Sequence, residues 1–468
     1  MSAPFRLTEA LTWTQGQYIA GSEQTVFDGV SIDTRTVRSG ELFVAIRGEK
    51  HDAHSFLDQA IASGASGIMV EHGAVDAADL PISLPILSVE DTTTGLGDLA
   101  RGHRNSFTGN VIAITGSNGK TTTKEMCHAI MAVKAPCLKT IGNLNNAFGL
   151  PLTLLSRKAE EASAVVELGM NHRGEISYLT KIARPDIGMV TNVGTAHIGF
   201  LGSQKNIALE KTDLIAGLEE SGTAVLNSDD PLIEAHASRA PGRIIRFGFS
   251  KNADVRADHV RFDGGSRFHF MLLTPAGNRS VEISGLADTT VINALGASAA
   301  ALAAGADLDQ IETGLGRFQP VPGRMVPRNL ASGACVIDDT YNANPQSIHA
   351  ALENLIRLKG DGRAFAILGD MGELGEEADQ AHQTIGRLAA ELKVDRLITL
   401  GTNAARVNAA AQEAGLPAEH CLVGVDPEQV AESVGRDLRS QDWILVKGSR
   451  AMRMERVVEA LIRREEKH

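Results

Sequence analysis

The stretch VIAITGSNGKTTT, residues 111–123, decides the fold of this chain. Its first four residues are small or β-branched and apolar, so they predict a short buried strand. A glycine-containing turn follows, and Lys120 with three threonines then opens a helix. In such a unit the loop N–H groups, the helix dipole and the lysine all attract an anion. The stretch therefore predicts a nucleotide-phosphate site, with Thr121 placed to ligate the accompanying Mg²⁺.

The loop departs from the general phosphate-loop pattern by one glycine. That pattern requires glycine five positions before Gly119, where this chain has Ile114. We interpret the loop as a shortened variant that spans residues 116–121; the alternative is a glycine turn beside an exposed lysine. The residues predicted to hold the nucleotide here are Gly116, Ser117, Asn118, Gly119, Lys120, Thr121 and Thr122.

Composition excludes several classes of partner. A chain of 468 residues suggests about three domains. A net charge of -12 with only 4% aromatic residues argues against nucleic acid or an anionic membrane surface as a partner. The four cysteines are scattered without a CxxC pair, which indicates reduced thiols and no cysteine-based zinc site. With no signal-peptide core and no membrane-spanning apolar run, we expect a cytoplasmic protein.

Residues 1–106 alternate short strands and helices, which predicts a small α/β domain. Ser31, Asp33 and Arg35 stand together at a strand end, where open α/β sheets bind ligands. An ordinary polar turn fits these residues equally well. The polar segment 101–110 is predicted to be the linker to the next domain.

Residues 107–322 form the predicted central domain, a parallel sheet with an antiparallel addition over residues 225–281. Glu167 ends a predicted strand, and a carboxylate there suits Mg²⁺. His197 follows another strand and fits either a metal ligand or a structural hydrogen-bonding residue. The acidic residues near Lys211 in the sequence predict that it is a surface lysine paired with them. The asparagine-rich turn at 140–151 fits a ligand contact or a loop that satisfies its own backbone.

Residues 323–468 show the clearest alternation of strands and helices. Strands predicted at 335–338, 365–368, 396–400 and 443–446 indicate a Rossmann-like, doubly wound sheet. The polar residues that end these strands should gather at one crevice. Because no GxGxxG follows the first strand, a nicotinamide or flavin cofactor is not indicated. The predicted fold class is thus α/β, in three domains.

Several motifs together resemble one known family. They are GSNGKTT from Gly116, Glu167, His197, Gly323-Arg324, and DDTYNANP from Asp338. In this order they resemble the Mur ligases of peptidoglycan synthesis, over essentially the whole chain. GNLNN, ELGMNHRGEI and VKGSRAMRM resemble the branch of that family that handles D-alanyl-D-alanine. The Asp-Asn-Pro-Arg motif of the branch that adds diaminopimelate is missing from this sequence.

The resemblance implies an ATP- and Mg²⁺-dependent amide ligation. The γ-phosphate would pass to the terminal carboxylate of UDP-N-acetylmuramoyl-tripeptide, and the amine of D-Ala-D-Ala would attack the resulting acyl phosphate. The resemblance leaves open whether the third residue of the tripeptide is diaminopimelate or lysine. A monomer is expected. Two hinges predict that the third domain swings between open and closed positions.

The resemblance also implies a role for particular residues. Lys120, Lys211, His197 and Arg324 would be catalytic, and Lys211 would carry a carbamate. The metal ligands would be Thr121, Glu167, His197 and Lys211. Asn293, Arg324 and Asp339 would complete the nucleotide site. Residues 1–106 would bind uridine through Ser31, Asp33, Arg35 and Gly48, residues 107–322 would form the ATPase domain, and residues 323–468 would complete the ATP and dipeptide sites. The remaining substrate contacts would be Asn143, Asn145, Asn146, Asn171, Asn344, Asp370, Lys447, Ser449 and Arg450.

Two other functions remain as alternatives. A folylpolyglutamate synthetase performs the same ATP chemistry on a different carboxylate, but it lacks the small uridine-binding domain. A nucleotide-dependent switch would need an Asn-Lys-x-Asp motif for base recognition. The nearest stretch, Thr191-Asn-Val-Gly, lacks the lysine and the aspartate.

Overall fold

The computed structural model describes residues 2–48, 50–75 and 84–466 and combines helices with largely parallel sheets. The predicted α/β class is confirmed. Among the described residues, no helix has both the length and the apolar character needed to cross a bilayer.

The N-terminal region contains a five-stranded sheet in the order β2-β7-β6-β5-β4, in which only β2 is antiparallel to its neighbour. A short antiparallel pair, β1 and β3, lies beside it. The elements are β1 Phe5–Arg6, α1 Leu7–Thr14, β2 Gln17–Ala20, β3 Val26–Phe27, β4 Gly29–Ser31, β5 Glu41–Val44, α2 Leu57–Ala62, β6 Gly67–Glu71, β7 Ile86–Val89 and α3 Thr92–Asn105.

The first half of the predicted linker is not a linker, because α3 continues through it to Asn105. Arg104 is only 9% exposed. Its guanidinium group donates hydrogen bonds to the Ala183 carbonyl at 3.0 Å and to the Asp186 carboxylate at 2.8 Å. The prediction was wrong because the polarity of a segment does not tell whether its charges are paired inside the fold. Here Arg104 joins α3 to residues 183–186.

The central region contains a six-stranded parallel sheet in the order β13-β12-β11-β8-β10-β9 and a separate three-stranded antiparallel sheet, β14-β15-β16. The elements are β8 Asn110–Thr115, α4 Lys120–Met131, β9 Cys137–Lys139, α5 Gly149–Leu155, β10 Ser163–Glu167, α6 Glu175–Ala183, β11 Ile187–Val190, α7 Ile198–Leu201, α8 Gln204–Ala216, β12 Thr223–Asn227, α9 Pro231–Glu234, β13 Arg243–Phe247, β14 Arg256–Phe262, β15 Arg267–Thr274, β16 Gly277–Ser284, α10 Thr289–Ala303 and α11 Leu308–Arg317.

The predicted antiparallel addition is confirmed for β14, β15 and β16 but is wrong for β12 and β13, which extend the parallel sheet. The short helix α9 provides the crossover that two parallel strands require. Short strands separated by turns look alike in sequence whichever way they pair, so the error lies in pairing and not in strand location.

Strand β8 is buried on both faces, as is usual for parallel sheets covered by helices. Val111 and Ala113 pack in the core shared with the N-terminal region, whereas Ile112 and Ile114 pack under α4 and α10. In register, Ile114 lies beside Glu167 of β10, and Thr115 lies beside Val190 of β11. The carboxyl ends of these strands therefore meet around the phosphate loop.

The C-terminal region is a six-stranded sheet in the order β17-β18-β22-β19-β20-β21, with only β17 antiparallel. All four predicted strands are confirmed; β17 and β21 at the two edges were not predicted. The elements are β17 Val326–Asn329, β18 Cys335–Asp339, α12 Pro345–Lys359, β19 Ala364–Gly369, α13 Ala378–Glu391, β20 Arg396–Leu400, α14 Ala404–Glu413, β21 Cys421–Val423, α15 Pro427–Gly435, β22 Trp443–Lys447 and α16 Glu455–Glu465.

Candidate active site

The phosphate loop connects β8 to α4, and two of its glycines are required by their surroundings. At Gly116 a Cβ atom would lie 1.8 Å from Thr191 Oγ1. Gly119, which caps α4, has a φ of 80°, and a Cβ atom there would lie 2.6 Å from Asn293 Oδ1. Lys120 Nζ donates to the Gly116 carbonyl at 2.8 Å, which folds the lysine over the loop. The loop therefore has the close packing and the cation of a phosphate cradle.

Thr121 and Glu167 form a hydrogen-bonded pair whose oxygens are spaced like two neighbouring ligands of one metal ion. The Thr121 hydroxyl donates to Glu167 Oε2 at 3.0 Å, and the Asn145 amide donates to Glu167 Oε1 at 2.9 Å. Glu167 is only 3% exposed. Two neighbouring oxygen ligands of an octahedral Mg²⁺ with bonds of about 2.1 Å lie about 3.0 Å apart. The Thr121 and Glu167 oxygens thus fit one edge of a magnesium site.

Lys211 of α8 is buried, with 1% of its surface exposed, and lines the same cleft. The expectation of a surface lysine, made from its own chemistry, is wrong. Its neighbour Glu210 does not serve as a surface partner, because the Glu210 carboxylate accepts hydrogen bonds from the N–H groups of Gly174 and Ile176. Burial, reinforced by the positive charge of Lys120, lowers the pKa of Lys211 well below its usual range. A neutral amine is the form that reacts with CO₂, so the environment fits the carbamate that the resemblance implies.

Charges of both signs lie near the loop. Burial lowers the pKa of Lys120; the charge of Glu167 opposes this effect and that of Arg324 adds to it. Arg324 lies over the Tyr341 ring, 4.0 Å from the ring centroid. Two cations, Lys120 and Arg324, line a cleft with Glu167 and the neutral Lys211. Such an arrangement favours a ligand with several negative charges.

The C-terminal region contacts the phosphate loop directly. The Asn344 amide donates to Asn118 Oδ1 at 3.0 Å. The Thr195 N–H donates to Gln346 Oε1 at 3.2 Å. This structure therefore shows a closed arrangement, and the swing of the third domain stays a prediction.

Asp339 and Lys447 are neighbours in register on β18 and β22. Lys447 Nζ donates to Asp339 Oδ2 at 2.6 Å and to the Asn342 carbonyl at 2.9 Å. Both side chains are buried and line the cleft. The predicted crevice at the strand ends of the third domain thus opens toward the phosphate loop.

One cleft of about 710 Å³ collects most of the predicted site residues. Those that line it are Ser117, Asn118, Gly119, Lys120, Thr122, Asn143, Asn145, Glu167, Asn171, His197, Lys211, Asn293, Arg324, Asp339, Asn344, Lys447, Ser449 and Arg450. Sequence analysis gave no role to Tyr341, Gln346 and Glu373, which also line it. Tyr341 and Gln346 flank the Asn-Ala-Asn-Pro stretch that was singled out, and Glu373 follows the end of β19, where a polar residue could have been suspected.

The residues predicted for uridine lie elsewhere. Ser31 ends β4, Asp33 and Arg35 follow it, and Gly48 follows the neighbouring parallel strand β5, so the two loops share one edge of the N-terminal sheet. The Asp33 carboxylate accepts from Arg35 Nη2 at 2.6 Å. Hydrogen bonds from Arg35 lower the pKa of Asp33 to about 2. Their binding role stays a prediction.

Two residues predicted to contact the substrate, Asp370 and Asn146, lie outside the cleft lining and form hydrogen bonds with backbone N–H groups of nearby loops. The Asp370 carboxylate accepts from the N–H groups of Thr402 and Asn403, at 2.7 and 3.0 Å. Asn146 Oδ1 accepts from the Gly149 N–H at 2.9 Å, at the start of α5. Neither residue is part of the cleft lining. Each side chain stabilises a loop whose neighbours, Asn145 and Ser449 among them, do line the cleft.

The fold and the site define a three-part nucleotide-phosphate-binding protein, and comparison with known families places it more closely. Residues 26–104 match the model described as "Mur ligase family, catalytic domain", residues 114–301 the "Mur ligase middle domain", and residues 316–450 the "Mur ligase, glutamate ligase domain". The chain belongs to the Mur ligase family.

Several similar proteins share one name. The UDP-N-acetylmuramoyl-tripeptide–D-alanyl-D-alanine ligase of Escherichia coli is 36% identical over 447 residues, with 95% of each chain covered. The enzyme of that name from Bacillus subtilis is 33% identical, with 94% of each covered. A crystal structure of MurF from Acinetobacter baumannii superposes with a TM-score of 0.88 at 33% identity over 99% of each chain. The structure of MurF from Thermotoga maritima in complex with ADP superposes with a TM-score of 0.81 at 30% identity, and the match covers 94% of this chain and 98% of that chain.

Proposed function

We propose that this protein joins D-alanyl-D-alanine to UDP-N-acetylmuramoyl-tripeptide at the expense of ATP, through an acyl-phosphate intermediate. One observation carries the proposal: a single cleft brings together the phosphate loop, the buried Lys211, the polar strand ends of the C-terminal region and Glu167, to which Thr121 donates a hydrogen bond. The relatives that bear this name match nearly the full length of the chain. The product would be the pentapeptide precursor of the cell wall, on which cell shape and division depend.

The chemistry requires two anions, a carboxylate and a triphosphate, to be held in contact. Lys120 and Arg324 neutralise the phosphate oxygens while the γ-phosphoryl group moves to the carboxylate oxygen and ADP leaves. The amine of the dipeptide then attacks the acyl carbon, inorganic phosphate departs, and the amine loses its proton. No side chain acts as a nucleophile, so positioning and charge neutralisation supply the rate enhancement.

Thr121, Glu167, His197 and a carbamylated Lys211 would hold Mg²⁺ beside the phosphates. The metal, when bound, supplies positive charge against the triphosphate and the acyl phosphate. The donor set fits, because a hydroxyl, a carboxylate, an imidazole and a carbamate oxygen are all suitable ligands. Glu167 keeps its place through the Asn145 amide, which holds the carboxylate oxygen that Thr121 does not contact.

The remaining predicted contacts divide by region. Asn143, Asn145 and Asn171 lie on the central-domain side of the cleft and would contact the peptide. Asn344, Lys447, Ser449 and Arg450 line its C-terminal side, where a lysine and an arginine suit the carboxylate of a dipeptide. Ser31, Asp33, Arg35 and Gly48 would bind the uridine end. The boundaries at 106/107 and 322/323, the monomeric state and the cytoplasmic location belong to the same proposal.

Phosphate release is the direct test. The protein is incubated with ATP, Mg²⁺, D-Ala-D-Ala and UDP-N-acetylmuramoyl-tripeptide, and each substrate is omitted in turn. We expect release only in the complete mixture, with one amide formed per phosphate. Separate tripeptides ending in diaminopimelate and in lysine determine the preferred third residue. Release with folate and glutamate but not with the complete mixture would refute the proposal in favour of folylpolyglutamate synthesis.

A further inference from the structure

Glu373 is a carboxylate in the cleft to which the proposed chemistry gives no role. It follows β19 in the C-terminal region and is about half exposed, and it lines the cleft opposite the central region. Its Oε2 atom lies 2.7 Å from Nδ1 of His197. This contact crosses from the C-terminal region to the residue predicted to ligate the metal.

Both members of the contact have unusual backbone conformations. The φ angle is 65° at His197 and 62° at Glu373, in the left-handed region that residues other than glycine rarely adopt. Such conformations are unfavourable and persist only where their surroundings enforce them, most often at functional sites. Two of them facing each other across one contact indicate that the geometry of this contact matters.

The segments that carry the pair also pack closely. A Cβ atom on Gly199 would lie 3.0 Å from the Glu373 carbonyl oxygen and 3.1 Å from the Gly375 nitrogen. Helix α7 and the loop after β19 therefore touch through their backbones, and Gly199 allows this approach. A contact between the two regions is thus built into the backbone as well as into the side chains.

We propose that Glu373 is a positioning residue for His197, which it holds by Nδ1 from the C-terminal region so that the imidazole is oriented for metal binding only in the closed arrangement. This inference rests on the proposed function, in which His197 is a metal ligand. In the structure the two atoms lie at ion-pair distance, although Nδ1 lacks the geometry of a hydrogen bond. With a metal on Nε2, the carboxylate would accept a hydrogen bond from Nδ1–H. Partners of this kind orient metal-binding histidines and raise their basicity.

The consequence is a link between domain closure and the metal site. Thr121 and Glu167 belong to the central region, so their part of the site exists whether or not the C-terminal region is closed. The His197 part would be complete only when Glu373 arrives. The site would therefore acquire its full metal affinity after the C-terminal region has closed over the nucleotide.

The test is a Mn²⁺ titration of the full-length protein with ADP, followed by the electron paramagnetic resonance signal of free Mn²⁺. Glu373→Gly removes the carboxylate and relieves the backbone strain, whereas Glu373→Gln keeps an acceptor for Nδ1–H without the charge. Glu376→Gln, three residues along on an exposed position, is the matched control. We expect about tenfold weaker Mn²⁺ binding for Glu373→Gly. A smaller loss is expected for Glu373→Gln and none for Glu376→Gln.

Two further readouts separate positioning from a purely structural role. Glu373→Gly should raise the Tm while it weakens Mn²⁺ binding; a raised Tm with wild-type Mn²⁺ binding would overturn the inference. In a His197→Asn background, Glu373→Gly should cost no further affinity, and independent, additive losses would also overturn it. The titration contains neither peptide substrate, so a protein that fails the phosphate-release test can still confirm the link between Glu373 and the metal.

Discussion

Replacement of Thr121 by valine isolates one hydroxyl group at the centre of the site. Valine keeps the β-branched shape and leaves helix packing in place. The change removes the donor to Glu167 Oε2 at 3.0 Å and a long acceptor contact with Arg324 Nη2 at 3.4 Å. Glu167 is 3% exposed, so water cannot readily replace the lost partner. A hydrogen bond to a charged group contributes about 1.5–3 kcal/mol. We therefore expect Thr121→Val to lower the free energy of unfolding by about 2 kcal/mol in metal-free buffer.

Thr123 offers a matched control on the same helix. It is fully buried, and its hydroxyl has no hydrogen-bond partner within the described part of the chain. Thr123→Val should therefore raise the free energy of unfolding by about 1 kcal/mol, because an unsatisfied buried hydroxyl is removed. For a domain of this size about 1 kcal/mol corresponds to a Tm change of about 2–4 °C. Calorimetry of the two variants should thus give shifts of opposite sign.

Activity separates the two variants further. Thr121→Val removes a proposed metal ligand, so the Mg²⁺ concentration for half-maximal phosphate release should rise at least about tenfold. Thr123→Val should keep the wild-type Mg²⁺ dependence. If Thr121→Val kept both the wild-type Tm and the wild-type Mg²⁺ dependence, the pairing of Thr121 with Glu167 would have no energetic role and the metal assignment would be refuted.

Three further predictions concern Lys120, Lys211 and Arg104. Lys120→Ala should lower the rate of ligation at least about a thousandfold and leave the far-ultraviolet circular dichroism spectrum unchanged. Activity near that of the wild type would show that the loop is not the phosphate site. Lys211→Met should abolish ligation but raise the Tm at pH 7 in CO₂-free buffer. Burial lowers the pKa of Lys211 below its ordinary value of 10.5, so at pH 7 folding must release the proton that the unfolded lysine carries. Methionine avoids this cost. The increase in Tm should therefore shrink as the pH approaches about 10, where the unfolded lysine also loses its proton. Equal gains at both pH values would contradict this. Arg104→Met should destabilise the protein by about 2 kcal/mol because the buried carbonyls of Ala183 and Phe107 lose their donor. Arg101→Met, which removes an exposed ion pair with Asp98, should cost less than about 1 kcal/mol in the same urea titration.

The predictions that succeeded rest on local patterns. Residues 111–123 predicted β8, the loop and α4, because the strand, glycine and lysine signals stand next to each other in the chain. The predicted strands of the third region agree with β18, β19, β20 and β22 to within about a residue. Parallel order then requires their polar carboxyl ends to meet at one edge.

The predictions that failed concern burial and pairing between distant segments. The same polarity that indicated a linker at residues 101–105 belongs to the end of α3, since Arg104 finds its partners about 80 residues away. The direction of β12 and β13 depends on which neighbour each strand meets. Glu373 was missed because its significance depends on His197, which lies in another region of the fold.

By itself, the sequence determined the phosphate loop, the α/β class and the resemblance to a family, because these depend on residue types at fixed spacing. The tertiary structure decided that Lys211 is buried, that Thr121 and Glu167 share an edge suited to a metal, and that Glu373 meets His197 in the closed arrangement. The reason is physical: charge state, metal geometry and orientation depend on distances of a few ångströms between groups far apart in the chain, and only the packed fold sets those distances.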